Sequence, residues 1–473
     1  MNVPDAHGPL VLELDDPPRT AEGRVDLDTL VAALHPCDLL ETAGSVPGWS
    51  YVAPHGGAVL RDDGRTTVLE HADGRREELG PDPFVALDRA CEQLGIGPDH
   101  VPDAELPAFT GGLVGAFSYD LARRVEHLPT LAADDRDADH LHLRQVDLAV
   151  AVPPERDRAL VIGRDLASQG GLAARARQLA ERVHAAARHV EAGPRPTPQE
   201  ASTSLPRQAY LEAVGHALEA IAAGRAFQVN LAQRLTARWP GDTHALYRAL
   251  RSHSAAPFGA ALPAIGLASV SPETFLAVDG REVWTRPIKG TRPRAEDPEV
   301  DAAHADDLVT SSKDRAENVM VVDLERNDLG RVCETGSVHV PELCQLEDHP
   351  TVWHLVSTVA GRLRQDVGYG GLLAATFPCG SITGAPKVAA MELIERLEPV
   401  RRSWYCGSVG FLAPGRVRLS VAIRTAVLSR DGTVDHGAGG GIVADSDPVA
   451  EHAESLDKAA AFLRTVGARE VVA

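Results

Sequence analysis

Lysine is almost missing from this chain. Of 47 lysine and arginine residues only Lys289, Lys313, Lys387 and Lys458 are lysines, and the first 288 positions hold none. Arginine is permanently charged and forked, whereas the lysine amine is compact and can lose its proton to become a nucleophile or a base. A chain that writes nearly every cation as arginine keeps lysine where arginine cannot serve, so these four positions are the first candidates for chemistry. Other absences narrow the class. No basic stretch offsets the formal charge of −20, which argues against nucleic acid or an anionic membrane as the main partner. No window approaches the roughly 18 apolar residues of a membrane span. The start, MNVPDAHGPLVLELDDPP, has neither a basic region nor a long apolar run, so a cytoplasmic location is expected. Cys37, Cys91, Cys333, Cys344, Cys379 and Cys406 form no CxxC pair and no metal-finger spacing, which points to reduced thiols. Neither a Walker loop nor a dinucleotide fingerprint is present. A globular enzyme acting on small molecules is the class left standing.

What is present divides near residue 200. The segment EAGPRPTPQEASTSLP, 191–206, is rich in Pro, Ser and Thr and reads as a surface linker between an N-terminal region, 1–190, and a C-terminal region, 207–473. Before it, GGAVLRDDGRTTVLEH offers a hairpin with its turn at Asp63-Gly64, but no catalytic cluster. After it, Tyr210, Val214, Leu218 and Ile221 fall on one helical stripe that stops at Gly224. Strand pairs follow, with a turn at Asp431-Gly432. Helices and antiparallel strands together predict an α+β fold.

Two helical segments each carry a pair of acids three residues apart. Asp314 and Glu317 share a face in SSKDRAENVMVVDLERNDLG, and Glu451 and Glu454 do so in DPVAEHAESLDKAAAFL, with Lys458 on the same side. The pairs read either as ordinary salt-bridged helices or as a shell for Mg²⁺, with Glu317 and Glu454 direct and Asp314 and Glu451 acting through water. The turn CGSITGAPK makes Thr383 a candidate N-cap whose free N–H groups suit a carboxylate, or a structural tight turn. GAGGGIVADS, 437–446, is read as a loop after a strand that brings bare N–H groups to a second carboxylate, or again as a structural turn. Arg424 interrupts an alternating apolar strand, LSVAIRTAV, where an arginine is costly to bury without an anionic partner.

These blocks, with GRAFQVNLAQRL, SPETFL, RPIKGTRPR, HLVSTVAGRL and CGSVGFL, resemble the chorismate-utilising enzymes across essentially all of 206–473, and GGLVGAFSYDLARRVEHLP extends the likeness into the first half. That resemblance implies two large antiparallel sheets facing each other, ringed by helices, with the active site in the second half. Two positions distinguish the branches. Isochorismate and salicylate synthases carry a lysine where this chain has Gln228, and anthranilate synthases carry alanine where it has Lys289. Gln228 with Lys289 resembles the aminodeoxychorismate synthase branch, which makes 4-amino-4-deoxychorismate for para-aminobenzoate and folate. The implied roles are Lys289 as covalent nucleophile, held in a constrained turn with Gly290 and Thr291, and Glu273 as proton donor. His354 is implied as a polar contact, with a structural histidine the alternative. Gly290, Thr291, Thr383, Tyr405, Arg424, Gly439, Gly440 and Lys458 are implied to bind substrate, and Mg²⁺ to sit on Glu317 and Glu454. No Gly-x-Cys-x-Gly turn of a glutamine amidotransferase is present, so ammonia is expected from a separate glutaminase subunit. An anthranilate-type or antibiotic-pathway synthase, and a non-catalytic chorismate-binding subunit, are the rival readings.

Overall fold

A computed structural model describes residues 8–43, 48–166, 170–185, 193–194, 196–254 and 256–472. Among them, strands form a 13-stranded and a 12-stranded sheet, antiparallel apart from one strand pair in the larger sheet. The α+β expectation holds in that form. Tyr51, Ala149 and Ile162 of the larger sheet meet Val114, Val409 and Phe411 of the smaller in one buried cluster, which is the seam between the facing sheets. Helices cover the outer faces. Leu30, Leu179, Leu246 and Phe462 pack on the larger sheet, and Leu87, Val322, Leu372 and Met391 on the smaller.

Neither sheet belongs to one half of the sequence. Strand Cys37–Thr42 pairs with Phe258–Leu262 in the larger sheet, and Gly112–Phe117 pairs with Ser408–Ala413 in the smaller. The regions 1–190 and 207–473 therefore share their cores and are not separate folding bodies. The expected linker is also corrected. Within 191–206, Gln199–Thr203 is a strand lying between Gln228–Arg238 and Ala468–Val472, with Ala201 fully buried. Residues 191, 192 and 195 lie outside the described set.

Local signals read from the sequence fare better. The Asp63-Gly64 turn joins Val59–Asp62 to Thr67–Glu70, and the Asp431-Gly432 turn joins Thr425–Leu428 to Thr433–Ile442. Helix Arg207–Ala222 buries Tyr210 and Val214, and Gly224 takes a φ of 71° just past its end. The acid pairs ride on helices Ser312–Gly330 and Pro448–Val466.

Candidate active site

A cavity of about 660 Å³ opens between these two helices, the glycine-rich strand Thr433–Ile442 and the strand Ile288–Pro293, and every residue lining it comes from position 230 onward. Fourteen of the fifteen site residues named from the sequence line it: Glu273, Lys289, Gly290, Thr291, Asp314, Glu317, His354, Tyr405, Arg424, Gly439, Gly440, Glu451, Glu454 and Lys458.

Lys289 reaches the cavity through a β-bulge and not through the turn that its sequence suggests. Ile288 pairs with Val356 and Thr291 with His354, so Lys289 and Gly290 together oppose a single residue of the neighbouring strand. The extra residue bends the strand and re-aims the side chain. Gly290 has a φ of +85°, and a Cβ there would lie 2.7 Å from Leu308 Cδ1 and 3.0 Å from Asp314 Cβ, so only glycine fits. The Lys289 amine donates to the Ser381 carbonyl at 3.1 Å, a carbonyl that also accepts from Asn230 Nδ2 at 3.1 Å. Burial lowers the lysine pKa, Glu317 and Glu273 oppose that, and Lys458 adds to it. Glu273, 4% exposed, accepts from the Ile288 N–H at 3.4 Å, and burial raises its pKa despite the Ser381 hydroxyl and Lys289 nearby. A lysine whose pKa is lowered beside a carboxyl whose pKa is raised is a pair suited to nucleophilic attack with proton donation.

The strand reading of Arg424 is corrected. It sits between Arg416–Val421 of the smaller sheet and Thr425–Leu428 of the larger, with a φ of +50°, where the chain crosses from one sheet to the other. Its guanidinium has no ion-pair or hydrogen-bond partner among the described residues, and burial alone lowers its pKa. In a neighbouring cavity of about 620 Å³, Arg61, Arg136, Arg234 and Arg401 are paired with Asp139, Asp435, Asp135 and Asp134, and the further lining residue Arg430 is exposed to solvent where Arg424 is half-buried. The uncommitted cation faces the first cavity, where a ligand carboxylate would complete it.

The glycine run lies within the strand Thr433–Ile442 and is not a loop after it. It pairs along one edge with Gln228–Arg238, while its other edge has a strand partner only as far as His436. From Gly437 onward that second edge has no strand beside it. The Tyr405 ring packs on Gly437, and Gly440 faces Glu451, Lys458 and Glu454. Gln228 lies beneath Gly441, fully buried, with both amide atoms lacking a hydrogen-bond partner among the described residues.

Thr383 is the exception among the named residues. It is fully buried, and its hydroxyl donates back to the Cys379 and Gly380 carbonyls at 3.4 and 3.2 Å. Helix Lys387–Leu397 starts after Pro386 with no side-chain cap, so Thr383 neither caps it nor lines the cavity. His354, whose pKa burial lowers to about 4, is hydrogen-bonded through Nδ1 to Thr291 Oγ1 at 3.0 Å.

The acids show how the cavity distributes charge. Burial raises the pKa of Glu317; Lys289 and Lys313 oppose this, and Asp314 and Glu451 add to it. Burial also raises Glu451, which accepts from Ser446 Oγ at 2.6 Å. Glu454 feels a rise from burial too, but Lys458 at 2.7 Å, Lys313 and Lys289 outweigh it and lower its pKa. Asp314 is held by Arg292 at 3.0 Å. No group of three or more His, Cys, Asp or Glu side chains is arranged to hold a metal ion among the described residues. The hard oxygen donors on the two facing helices nonetheless fit Mg²⁺, which takes one or two carboxylates and fills its remaining positions with water and substrate oxygen. Lys313, Asn230 and Ser381 also line the cavity, and sequence reasoning gave them no role. The scarcity of lysine was the available signal for Lys313.

Comparison with known proteins bears on what this cavity holds. Residues 64–464 match the family model described as chorismate binding enzyme. The chain is 40% identical to aminodeoxychorismate synthase component 1 of Escherichia coli (strain K12) over 411 residues, covering 85% of this chain and 86% of that one. It is 41% identical to anthranilate synthase component 1 of Thermus thermophilus over 418 residues, again covering 85% and 86%. Among solved structures it resembles anthranilate synthase component I from Streptococcus pneumoniae, with a TM-score of 0.75 and 28% identity over 87% of this chain and 91% of that one. No described helix is long and apolar enough to cross a membrane. With a model matched over most of its length and relatives at this level of identity, the chain belongs to the family of chorismate binding enzymes.

Proposed function

We propose that this protein converts chorismate and ammonia to 4-amino-4-deoxychorismate through a covalent adduct on Lys289, in the cytoplasm, as a step toward para-aminobenzoate and folate. The observation that carries the reading is the Lys289 amine, aimed into the cavity by a bulge, half-buried and set beside Glu273. The aminodeoxychorismate synthase names of several relatives support it.

The neutral amine attacks ring carbon 2, both ring double bonds shift, and the C4–O bond breaks. The departing hydroxyl takes the Glu273 proton and leaves as water. Ammonia adds at carbon 4, both double bonds shift back, and the C2–N bond breaks to free the lysine. Arg424 binds a substrate carboxylate, the open edge of the Gly437–Gly441 run offers N–H groups to it, and Tyr405 and His354 form walls. Glu317 and Glu454 would hold Mg²⁺, oriented by Asp314 and Glu451, and the ion when bound would neutralise the ring carboxylate. Ammonia is supplied by a separate glutamine amidotransferase subunit.

Lys289→Ala tests the reading. It removes the nucleophile and leaves the clamps, so chorismate should still bind while 4-amino-4-deoxychorismate falls at least 100-fold, some anthranilate forming by direct attack at carbon 2. Lys289→Arg should be inactive, being larger and always protonated. Wild-type protein quenched with chorismate in the absence of ammonia should carry an adduct on Lys289 by mass spectrometry. Normal 4-amino-4-deoxychorismate production by Lys289→Ala would refute the covalent role, and anthranilate as the main wild-type product would favour the anthranilate-type alternative.

A further inference from the structure

Two turns beyond Glu317 on the same helix, Glu325 faces the protein interior. It is 4% exposed and has no cationic partner among the described residues. Its Oε2 accepts from Thr285 Oγ1 at 2.8 Å, and its Oε1 lies 3.4 Å from Cys379 Sγ. The ionisable groups that act on it, besides that thiol, are the acids Glu273 and Asp328, and Asp328 is itself engaged by Lys387. Burial, with those acids adding to it, pushes the Glu325 pKa up to about 8, which leaves a neutral carboxylic acid inside the protein at pH 7. The contacts continue beyond Cys379. Its Sγ is 3.3 Å from Ser381 Oγ. The Ser381 hydroxyl in turn stands beside the Glu273 carboxyl, whose pKa it lowers, and both residues line the cavity. Glu325, Cys379, Ser381 and Glu273 are each 3–4% exposed, so the line connecting them is buried and meets the cavity only at its Ser381 and Glu273 end.

We propose that Glu325 is a buried proton store for Glu273, connected to it through the Cys379 thiol and the Ser381 hydroxyl. The proposal rests on the reading of Glu273 as proton donor given above. Once Glu273 has protonated the departing hydroxyl it is a carboxylate facing a dianionic substrate. The Ser381 O–H passes its proton to Glu273, the Cys379 S–H passes its proton to Ser381, and the Glu325 O–H passes its proton to Cys379. Only O–H and S–H bonds change. The negative charge thereby moves out of the cavity to Glu325, where the Thr285 hydroxyl and the restored thiol donate to it. When ammonia has added at carbon 4, the new ammonium sheds a proton that returns to Glu273 and along the same line to Glu325, and the cycle closes without net change. Burial and the two neighbouring carboxyl groups hold the Cys379 pKa far above its ordinary value, so the thiol keeps the proton it must relay. Glu325 is thus a positioning residue for a proton and touches no substrate.

The test is steady-state turnover of chorismate with ammonia from pH 6 to 9.5, which needs no partner subunit. Glu325→Gln keeps the shape and, with its oxygen toward Thr285, accepts that bond while its amide nitrogen faces Cys379 as a donor, but it cannot release a proton along the line. Its kcat should fall at least tenfold with the chorismate KM within about twofold. Its alkaline limb should move to lower pH, because Glu273 loses both its proton supply and a neighbouring carboxyl group. Cys379→Ala should reproduce the loss, and Cys379→Ser, which restores an O–H in the line, should recover activity to within about threefold of wild type. Inactive Glu273→Gln alongside wild-type kcat and pH profile in Glu325→Gln would overturn the store while leaving the Glu273 reading intact. Active Glu273→Gln would overturn both. A slow Glu325→Gln with an unmoved alkaline limb and a lowered melting temperature would assign Glu325 to structure and overturn the proposal.

Discussion

Alanine substitutions along the strand Thr433–Ile442 separate what each glycine there is for. At Gly437 a Cβ would fall 2.2, 2.3 and 2.6 Å from three atoms of the Tyr405 ring, and a planar ring has no small motion that relieves such contacts. At Gly439 it would meet the Leu231 carbonyl oxygen at 2.1 Å and Ala232 Cα at 2.6 Å, both main-chain atoms of the paired strand. At Gly440 it would meet Glu451 Oε2 at 3.2 Å, Lys458 Nζ at 3.6 Å and Glu454 Oε1 at 3.7 Å, the far ends of flexible side chains. Overpacking costs about 1–3 kcal/mol, and the main-chain clash at Gly439 belongs at the upper end because the ladder must open to relieve it. Gly440→Ala should change stability by less than about 0.5 kcal/mol. Its methyl group stands between the strand and the candidate metal-binding acids, so turnover should nonetheless fall at least tenfold. The assay is urea unfolding at constant slope, paired with product formation from chorismate and ammonia. Full activity in Gly440→Ala would refute the role of this strand as a substrate surface, and a wild-type unfolding midpoint in Gly439→Ala would refute the packing argument.

Two further predictions concern charge. Glu317→Gln and Glu454→Gln should each abolish turnover without altering circular dichroism, and EDTA should do the same reversibly, whereas Asp314→Asn and Glu451→Gln should cost less; equal, mild losses at all four would assign them to surface ion pairs. His436, stacked flat on Phe462 at 4.7 Å, has a pKa that burial lowers to about 4, below its ordinary value near 6.5. The unfolded chain takes up that proton first, so the stability contributed by the neutral ring is fully present above about pH 6.5 and is lost as pH falls toward 4. His436→Asn should therefore lose less stability than wild type between pH 6.5 and 4 in thermal melts, and parallel pH dependence in the two proteins would sink the assignment.

Local chemistry was readable from the sequence and long-range pairing was not. The Asp-Gly turns, the Tyr210 stripe and the acid pairs on their helices are set by residues a few positions apart. The join between Cys37–Thr42 and Phe258–Leu262 is not, because an apolar strand carries no mark of which distant strand completes it. Gln199–Thr203 was concealed for a different reason: with only Ala201 fully buried, its polar composition matches that of a linker. Apolar alternation through LSVAIRTAV hid the passage from one sheet to the other, since residues buried on either sheet look alike in sequence. The bulge at Lys289-Gly290 was equally hidden, because the extra residue is defined only by the strand opposite.

The scarcity of lysine gains a physical account once all four are placed. Lys289, Lys313 and Lys458 line one cavity, beside acids whose pKa values their charges lower. Lys387 lies elsewhere, and there its amine donates to the Asp328 carboxylate and to the Thr376 and Pro378 carbonyls. Three acceptors converging on one nitrogen match a tetrahedral ammonium and cannot be met by a planar guanidinium fork. Arg424 is the complementary case: a permanent, forked cation with no protein anion beside it suits a substrate carboxylate that must be gripped in two places. Lysine thus occurs where one nitrogen must be compact or able to lose a proton, and arginine where a charge has only to be held. On that division Arg424→Lys should weaken chorismate binding nearly as much as Arg424→Ala, because a single ammonium replaces one arm of the fork but not the other. Equal chorismate KM values for Arg424→Lys and wild type would show that the site needs charge alone.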